Sequence, residues 1–235
     1  MKIAVFSDVH GNYDAFQRAM SFSRSQQVDA YFFLGDAVGY YYESLAVISD
    51  LMKLKNLYIV LGNHDNMFLQ MYESKDEQSF QIYQEKYGSS FVDLFKEIRS
   101  EQYLFLKSIP TTRVVELDGI KFMLIHGGPN DELHERVYPD SSLDGFERIN
   151  ADVVLLGHTH YRMNRSIGGK VIINPGSLGQ PRDGKEASFV IYDTKTNESL
   201  FLDVAFNVVR LKKQIRERGS EPNYLINVLD RIRKG

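Results

Sequence analysis

Five short apolar runs punctuate the chain: IAVF at 3–6, YFFL at 31–34, LYIVL at 57–61, FMLI at 122–125 and VVLL at 153–156. They are continuous rather than alternating, and most are β-branched or aromatic, which predicts strands buried on both faces. Helical spacing separates the first three. Phe16, Ala19, Met20 and Ser23 share a face in a stretch that Asn12 or Asp14 can cap and that runs to about Gln26; Leu45, Ile48 and Met52 recur between Glu43 and Leu54. Strand and helix in alternation predict parallel pairing with right-handed crossovers. From 66 to 107 that rhythm breaks. The segment has no Pro, one Gly (Gly88) and recurring aromatics from Phe68 to Phe95, which predicts two or three helices forming a cap. Beyond Thr111, turn signals at Asp118-Gly119, Gly168-Gly169 and Thr194 to Asn197 predict hairpins. The end of the chain, 208–235, reads as a basic amphipathic helix pair divided near Gly219 and Pro222, with Arg233 and Lys234 among its cations. With no repeat or linker in sight, one domain over 1–235 is expected, with a helical insertion at about 66–108 and a helical tail.

Composition narrows the chemistry. The 235 residues are 43% hydrophobic and 25% charged, enough apolar material for the core of an α/β fold of this length. The absence of cysteine excludes disulfides, thiolate metal sites and a cysteine nucleophile. A net charge of −3 argues against an extended nucleic-acid surface but not against a small anionic substrate. No apolar run approaches the ~18 residues needed to span a bilayer, and the first is too short for a signal-peptide core. A cytoplasmic enzyme without membrane association is expected, and a homo-oligomer stays open.

Each apolar run ends in a turn loaded with metal-competent side chains: Asp8, His10 and Asn12 after the first, Asp36 after the second, Asn63-His64-Asp65 after the third, His126 after the fourth, and His158 and His160 after the fifth. Five of the six histidines fall at these ends, His134 being the exception. In open α/β sheets, ligands bind outside the carboxyl ends of the strands. Imidazole, carboxylate and amide oxygen together suit Mn, Fe, Zn, Co or Ni. Seven candidate ligands (Asp8, His10, Asp36, Asn63, His126, His158 and His160) are too many for one tetrahedral ion. They fill two adjacent sites if Asp36, on the central of the early strands, bridges them. Such a pair clamps the attacking and leaving oxygens of a displacement at phosphorus.

With Asp8-x-His10, Gly35-Asp36, Gly62-Asn63-His64-Asp65, His126 and Gly157-His158-x-His160 in this order, the chain resembles the calcineurin-like metallophosphoesterases over roughly residues 2–193. Asn174-Pro175-Gly176-Ser177 resembles a turn of their small bacterial and archaeal phosphodiesterase branch. The resemblance implies a four-layer α/β/β/α sandwich and two metal ions, Mn and Fe favoured. One would be held by Asp8, His10, Asp36 and His160, the other by Asp36, Asn63, His126 and His158. It further implies His64 as the general acid that protonates the leaving oxygen, its ring oriented by Asp65 or Asp36. The implied reaction is hydrolysis of a phosphodiester or phosphoanhydride of a small nucleotide, a dinucleoside polyphosphate among the candidates. Protein phosphatases and symmetrical dinucleoside-tetraphosphate hydrolases of this superfamily carry an Arg soon after the Gly-Asp; here Ala37-Val38-Gly39-Tyr40 follows instead. Arg182 is a substitute phosphate ligand, because a guanidinium grips phosphate bidentately. Asn12 either contacts phosphate or caps the first helix. Tyr40 to Tyr42, with Phe68 and Tyr72, either stack on a base or belong to the core or an interface between copies. A phosphomonoesterase, a protein phosphatase and a non-catalytic scaffold on the same fold remain alternatives.

Overall fold

In each of the first three apolar runs, alternate residues feed different cores. Strands β1 (Lys2–Phe6), β2 (Ala30–Phe33) and β3 (Leu57–Ile59) pair in parallel, Ile3 opposite Ala30 and Tyr31 opposite Leu57. Ile3, Val5, Ala30 and Phe32 point to one side, and Ala4, Phe6, Phe33 and Ile59 to the other, all of them buried. Full burial of a side chain of this size stabilises by about 1.5–3 kcal/mol, so neither face tolerates a polar residue. The crossovers are helices α1 (Tyr13–Ser25) and α2 (Ser44–Leu51), the second shorter than the stretch to Leu54 expected for it. The computed structural model describes residues 1–218 and 221–231; the expectations placed on Gly219, Arg233 and Lys234 lie outside the described residues.

The excursion that follows β3 contains four helices, not two or three: α3 (Asn63–Ser74), α4 (Glu77–Tyr87), α5 (Ser90–Glu97) and α6 (Ser100–Lys107). The additional break comes from local capping. Lys75 adopts a left-handed conformation (φ 50°), and the Asp76 carboxylate accepts hydrogen bonds from the Gln78 and Ser79 amides, starting a new helix without Gly or Pro.

Strands β4 (Thr112–Leu117), β5 (Ile120–Ile125), β6 (Val153–Leu155), β7 (Arg162–Ile167) and β8 (Lys170–Pro175) build a second sheet in the order β4-β5-β6-β8-β7. Strands β9 (Ala187–Asp193) and β10 (Glu198–Val204) complete the first sheet, in the order β10-β9-β1-β2-β3. The three expected hairpin turns join β4 to β5, β7 to β8 and β9 to β10, all antiparallel pairs. Both sheets are therefore mixed, and they pack face to face through Phe32, Val60 and Val190 on one and Phe122, Leu124 and Ile173 on the other. Helices cover the outer face of the first sheet, joined there by α7 (Val208–Glu217) and α8 (Tyr224–Leu229). The outer face of the second sheet is covered more thinly. Its layer is an irregular segment with one 3₁₀ turn, Asp144–Phe146, whose Phe146 is buried against Val154 and Ile172.

Candidate active site

The parallel strands β1, β2 and β3 of one sheet and β5 and β6 of the other present their carboxyl ends to the same crevice, so every motif residue arrives there from a strand end. A local backbone device turns them inward. Asp8, His10, Asp36, His158 and His160 all adopt positive φ, between 49° and 65°. Left-handed backbone costs a non-glycine residue roughly 1–2 kcal/mol, so five such residues in one place must be held by their surroundings. The Asp8 amide donates to the Gly35 carbonyl at 3.1 Å, the His10 amide to the Asp36 carbonyl at 2.9 Å and the Gly157 amide to the His126 carbonyl at 2.9 Å, which ties the loops to one another.

The imidazoles are oriented by their outer nitrogens. Nδ1 of His10 donates to the Val38 carbonyl (3.0 Å), that of His126 to the Leu34 carbonyl (2.7 Å) and that of His160 to the Gln180 carbonyl (2.7 Å), aiming each Nε2 inward. Two clusters result. In the first, Nε2 of His10 and Nε2 of His160 stand 3.0 Å apart, with Asp8 Oδ1 3.3 Å from His160 Nε2. In the second, Asn63 Oδ1 lies 3.0 Å from His126 Nε2 and 2.8 Å from His158 Nδ1. Asp36 Oδ2 lies between them, 3.6 Å from His10 Nε2 and 3.4 Å from His126 Nε2.

This donor set fits metal ions. With both Nδ1–H groups committed to carbonyls, two Nε2 atoms approach to 3.0 Å only across a shared proton or a shared cation. Asp8 Oδ1 and His158 Nε2 are buried without a hydrogen-bond partner. Burial opposes the charge on the Asp36 carboxyl, yet His126 and His64 beside it hold it well below the usual carboxylate range. The Asp8 carboxyl, likewise buried, is held at about 2 by His160. Burial would lower His126, but Asp36 prevails and raises it to about 9.

His64 follows Asn63 on the first turn of α3 and lines the cleft. Its amide donates to Asp36 Oδ1 at 2.8 Å, and its ring lies with centroids 4.8 Å from those of Tyr40, Tyr87 and His10. The His64 Nδ1 is buried and unpartnered, and burial pulls this imidazole down to about 4. A ring nitrogen of His64 also comes within 4.8 Å of ligand atoms of His10 and Asp36.

Asp65 departs from its expected place, and Asn12 takes one of the two roles expected of it. Asp65 does not orient the His64 ring. Its Oδ2 accepts from the amides of Asp36 (2.8 Å) and Gly62 (3.1 Å), and its Oδ1 from that of Val38 (2.9 Å), so it pins the loop that carries Asp36. Burial, with the Asp36 charge nearby, raises the Asp65 carboxyl to about 7. Asn12 caps the first helix: its Oδ1 accepts from the Ala15 amide, one hydrogen of its Nδ2 goes to the Gly179 carbonyl, and the residue is not part of the cleft lining. Of the proposed stacking aromatics, Tyr41 and Phe68 are fully buried in the core, and Tyr42 carries the Arg218 guanidinium 3.8 Å above its ring. Tyr72 packs on Tyr103. Tyr40 does line the cleft, and its hydroxyl accepts from Arg182 at 3.0 Å, so both keep their places.

The cleft itself has a volume of about 360 Å³. Lys86, Tyr87, His134 and Arg136 also line it, none of which sequence pattern singled out. A usable signal existed: 86–87 close a helix of the insertion, and 134–136 follow the ligand-bearing end of β5. Asn174 lies behind the site and braces the Gly157–Thr159 turn, donating to the Gly157 carbonyl (2.6 Å) and to Thr159 Oγ1 (3.1 Å).

A family model described as the calcineurin-like phosphoesterase superfamily domain matches residues 1–197. An uncharacterized protein of Methanocaldococcus jannaschii is 33% identical over 236 residues, covering 92% of this chain and 89% of that protein. A phosphodiesterase of the same organism is 26% identical over 179 residues, covering 75% of this chain and 83% of that protein. Among solved structures, a metallophosphoesterase from Sphaerobacter thermophilus shares the fold with a TM-score of 0.80 at 24% identity, covering 98% of both chains.

Proposed function

Because this chain belongs to the calcineurin-like phosphoesterase superfamily, and is thereby a metal-dependent hydrolase of phosphoesters, we propose that it acts through two metal ions on a small nucleotide-type phosphodiester or phosphoanhydride. Asp8, His10, Asp36 and His160 would hold one ion, and Asp36, Asn63, His126 and His158 the other, in a single domain with a helical insertion. Mn and Fe suit these donors, as do Zn, Co and Ni. The observation that carries this reading is the 3.0 Å approach of two inward-facing Nε2 atoms beside an unpartnered buried carboxylate oxygen. Bound there, such ions supply Lewis acidity at a phosphoryl oxygen and an activated water.

The chain's own groups have distinct tasks. Asp36 faces both clusters and shares its charge between them. His64 lines the cleft beside Asp36, where its imidazole would donate a proton to the leaving oxygen. Tyr40 and Tyr87 confine that ring, and Arg182 offers a guanidinium to phosphate. The cleft volume of about 360 Å³ sits at the small end of the ~300–1,000 Å³ usual for ligand sites, which suits a nucleotide better than a protein loop.

The test is hydrolysis of bis(p-nitrophenyl) phosphate, p-nitrophenyl phosphate and diadenosine tetraphosphate with Mn²⁺ and with chelator, alongside metal analysis. Diesterase or anhydride cleavage that requires metal is expected, with about two ions per chain. His64→Ala should retain the metals while turnover falls about 10²–10⁴-fold. A marked preference for the monoester would replace the diesterase reading, and unchanged turnover in His64→Ala would remove the acid.

A further inference from the structure

Three cationic side chains reach the cleft from unrelated parts of the chain. Lys86 comes from the last turn of α4, Arg136 from the irregular segment after β5, and Arg182 from the loop after β8. Among the described residues none of the three pairs with a carboxylate, whereas Arg162, Arg210 and Arg218 all do. The only carboxylate lining the cleft among the described residues is Asp36, which is buried at its floor. Two of the cations are held in place. Arg182 donates to the Tyr40 hydroxyl at 3.0 Å and to Gln180 Oε1 at 2.9 Å. The Lys86 carbonyl accepts from the Tyr224 hydroxyl at 2.9 Å, and its ammonium lies 5.0 Å from the Tyr87 ring centroid. Tyr224 belongs to α8, beyond the residues that the family model matches, so part of the chain outside that match braces this wall.

Charge then discriminates between substrates. Two divalent ions would already exceed the charge of Asp8 and Asp36, enough for one singly charged diester. The wall adds three further positive charges around the same cleft of about 360 Å³. Cations that line one cleft without carboxylate partners raise the local potential and favour a polyanion. We propose that Lys86, Arg136 and Arg182 form an anion subsite, distinct from the metal-ligand cluster, that binds a second phosphoryl group of the same substrate. The preferred substrate is then a polyphosphate ester and not a simple diester. The inference rests on the phosphoesterase reading for the reaction, but the subsite can be tested without turnover.

The probe is inorganic tripolyphosphate, titrated calorimetrically into the full-length chain after chelator treatment and dialysis, for wild type, Lys86→Ala, Arg136→Ala and the charge-conserving Lys86→Arg. Loss of one charge-assisted contact should weaken binding about tenfold in each alanine variant, while Lys86→Arg stays near wild type. With Mn²⁺ restored, the kcat/KM of the alanine variants for diadenosine tetraphosphate relative to bis(p-nitrophenyl) phosphate should fall by a similar factor. Thermal melts unchanged from wild type establish that these variants fold. The subsite is overturned if wild type does not bind tripolyphosphate, if the alanine variants bind it equally well, or if both substrates lose activity in parallel. Variant-sensitive binding of tripolyphosphate by a protein that hydrolyses no phosphoester would uphold the subsite and sink the enzymatic reading instead.

Discussion

Gly62 leaves no room for a side chain beside Asp36. A Cβ there would meet Asp36 Oδ1 at 2.1 Å and the Asp36 amide nitrogen at 2.3 Å, neither of which can move, because Asp65 anchors the same loop. Gly62→Ala should therefore destabilise by about 1–3 kcal/mol through forced displacement and should also lower metal content, which denaturation and elemental analysis would detect together. Asp65 itself holds three amides with two oxygens. In Asp65→Asn one acceptor becomes a donor that faces an amide donor. A loss of about 1–3 kcal/mol follows from the buried mismatch, visible as a lower denaturation midpoint; an unchanged midpoint would contradict the anchoring role. Motif spacing marked Asp65 as a residue of the site but misjudged its partner. The spacing places its side chain near the strand end, but only the fold decides whether an imidazole or three amides is closer.

At the scale of elements, the apolar runs translated directly into strands, because residues buried on both faces need no knowledge of their partners to be recognised. Helix breaks within the insertion were less legible. The boundary at Lys75 and Asp76 relies on one left-handed residue and an Asp cap, a signal that polar surface residues imitate everywhere in the chain. Asn12 illustrates the same ambiguity: its sequence context allowed a cap or a phosphate ligand, and its Oδ1 makes the cap while one Nδ2 hydrogen goes to the Gly179 carbonyl. Asn12→Ala should cost about 1 kcal/mol of stability with KM for bis(p-nitrophenyl) phosphate close to wild type. A large rise in KM at wild-type stability would restore the ligand role.

Over the whole molecule, the two sheets bring two buried carboxylates and several imidazole nitrogens to one place, a donor set for ions. Metal at a hundred times its Kd should raise stability by about 2.7 kcal/mol, and chelation should lower the melting temperature accordingly. The pH dependence has a definite sign. In the metal-free protein His126, raised to about 9 by Asp36, carries a proton at neutral pH, its two nitrogens facing the Leu34 carbonyl and Asn63 Oδ1. An ion must displace that proton, so affinity should climb with pH until about 9, by up to about tenfold per unit. The stabilisation of the metal-free chain that comes from this raised group is complete below the ordinary histidine range and disappears as pH rises through about 9. Calorimetry in buffers of different ionisation enthalpy would count the released protons; no release at pH 7 would contradict the protonated state.

Local information was sufficient for strand identity, for the hairpin turns and for the chemistry of the seven candidate ligands, because each depends on residues within a few positions of one another. The convergence of those ligands depends on which strands lie side by side and on five left-handed turns, properties of the assembled sheets. The cationic wall was hidden for the same reason: Lys86, Arg136 and Arg182 are far apart along the chain, sit in no shared pattern, and meet only because an insertion, a loop and a strand end are folded over one crevice.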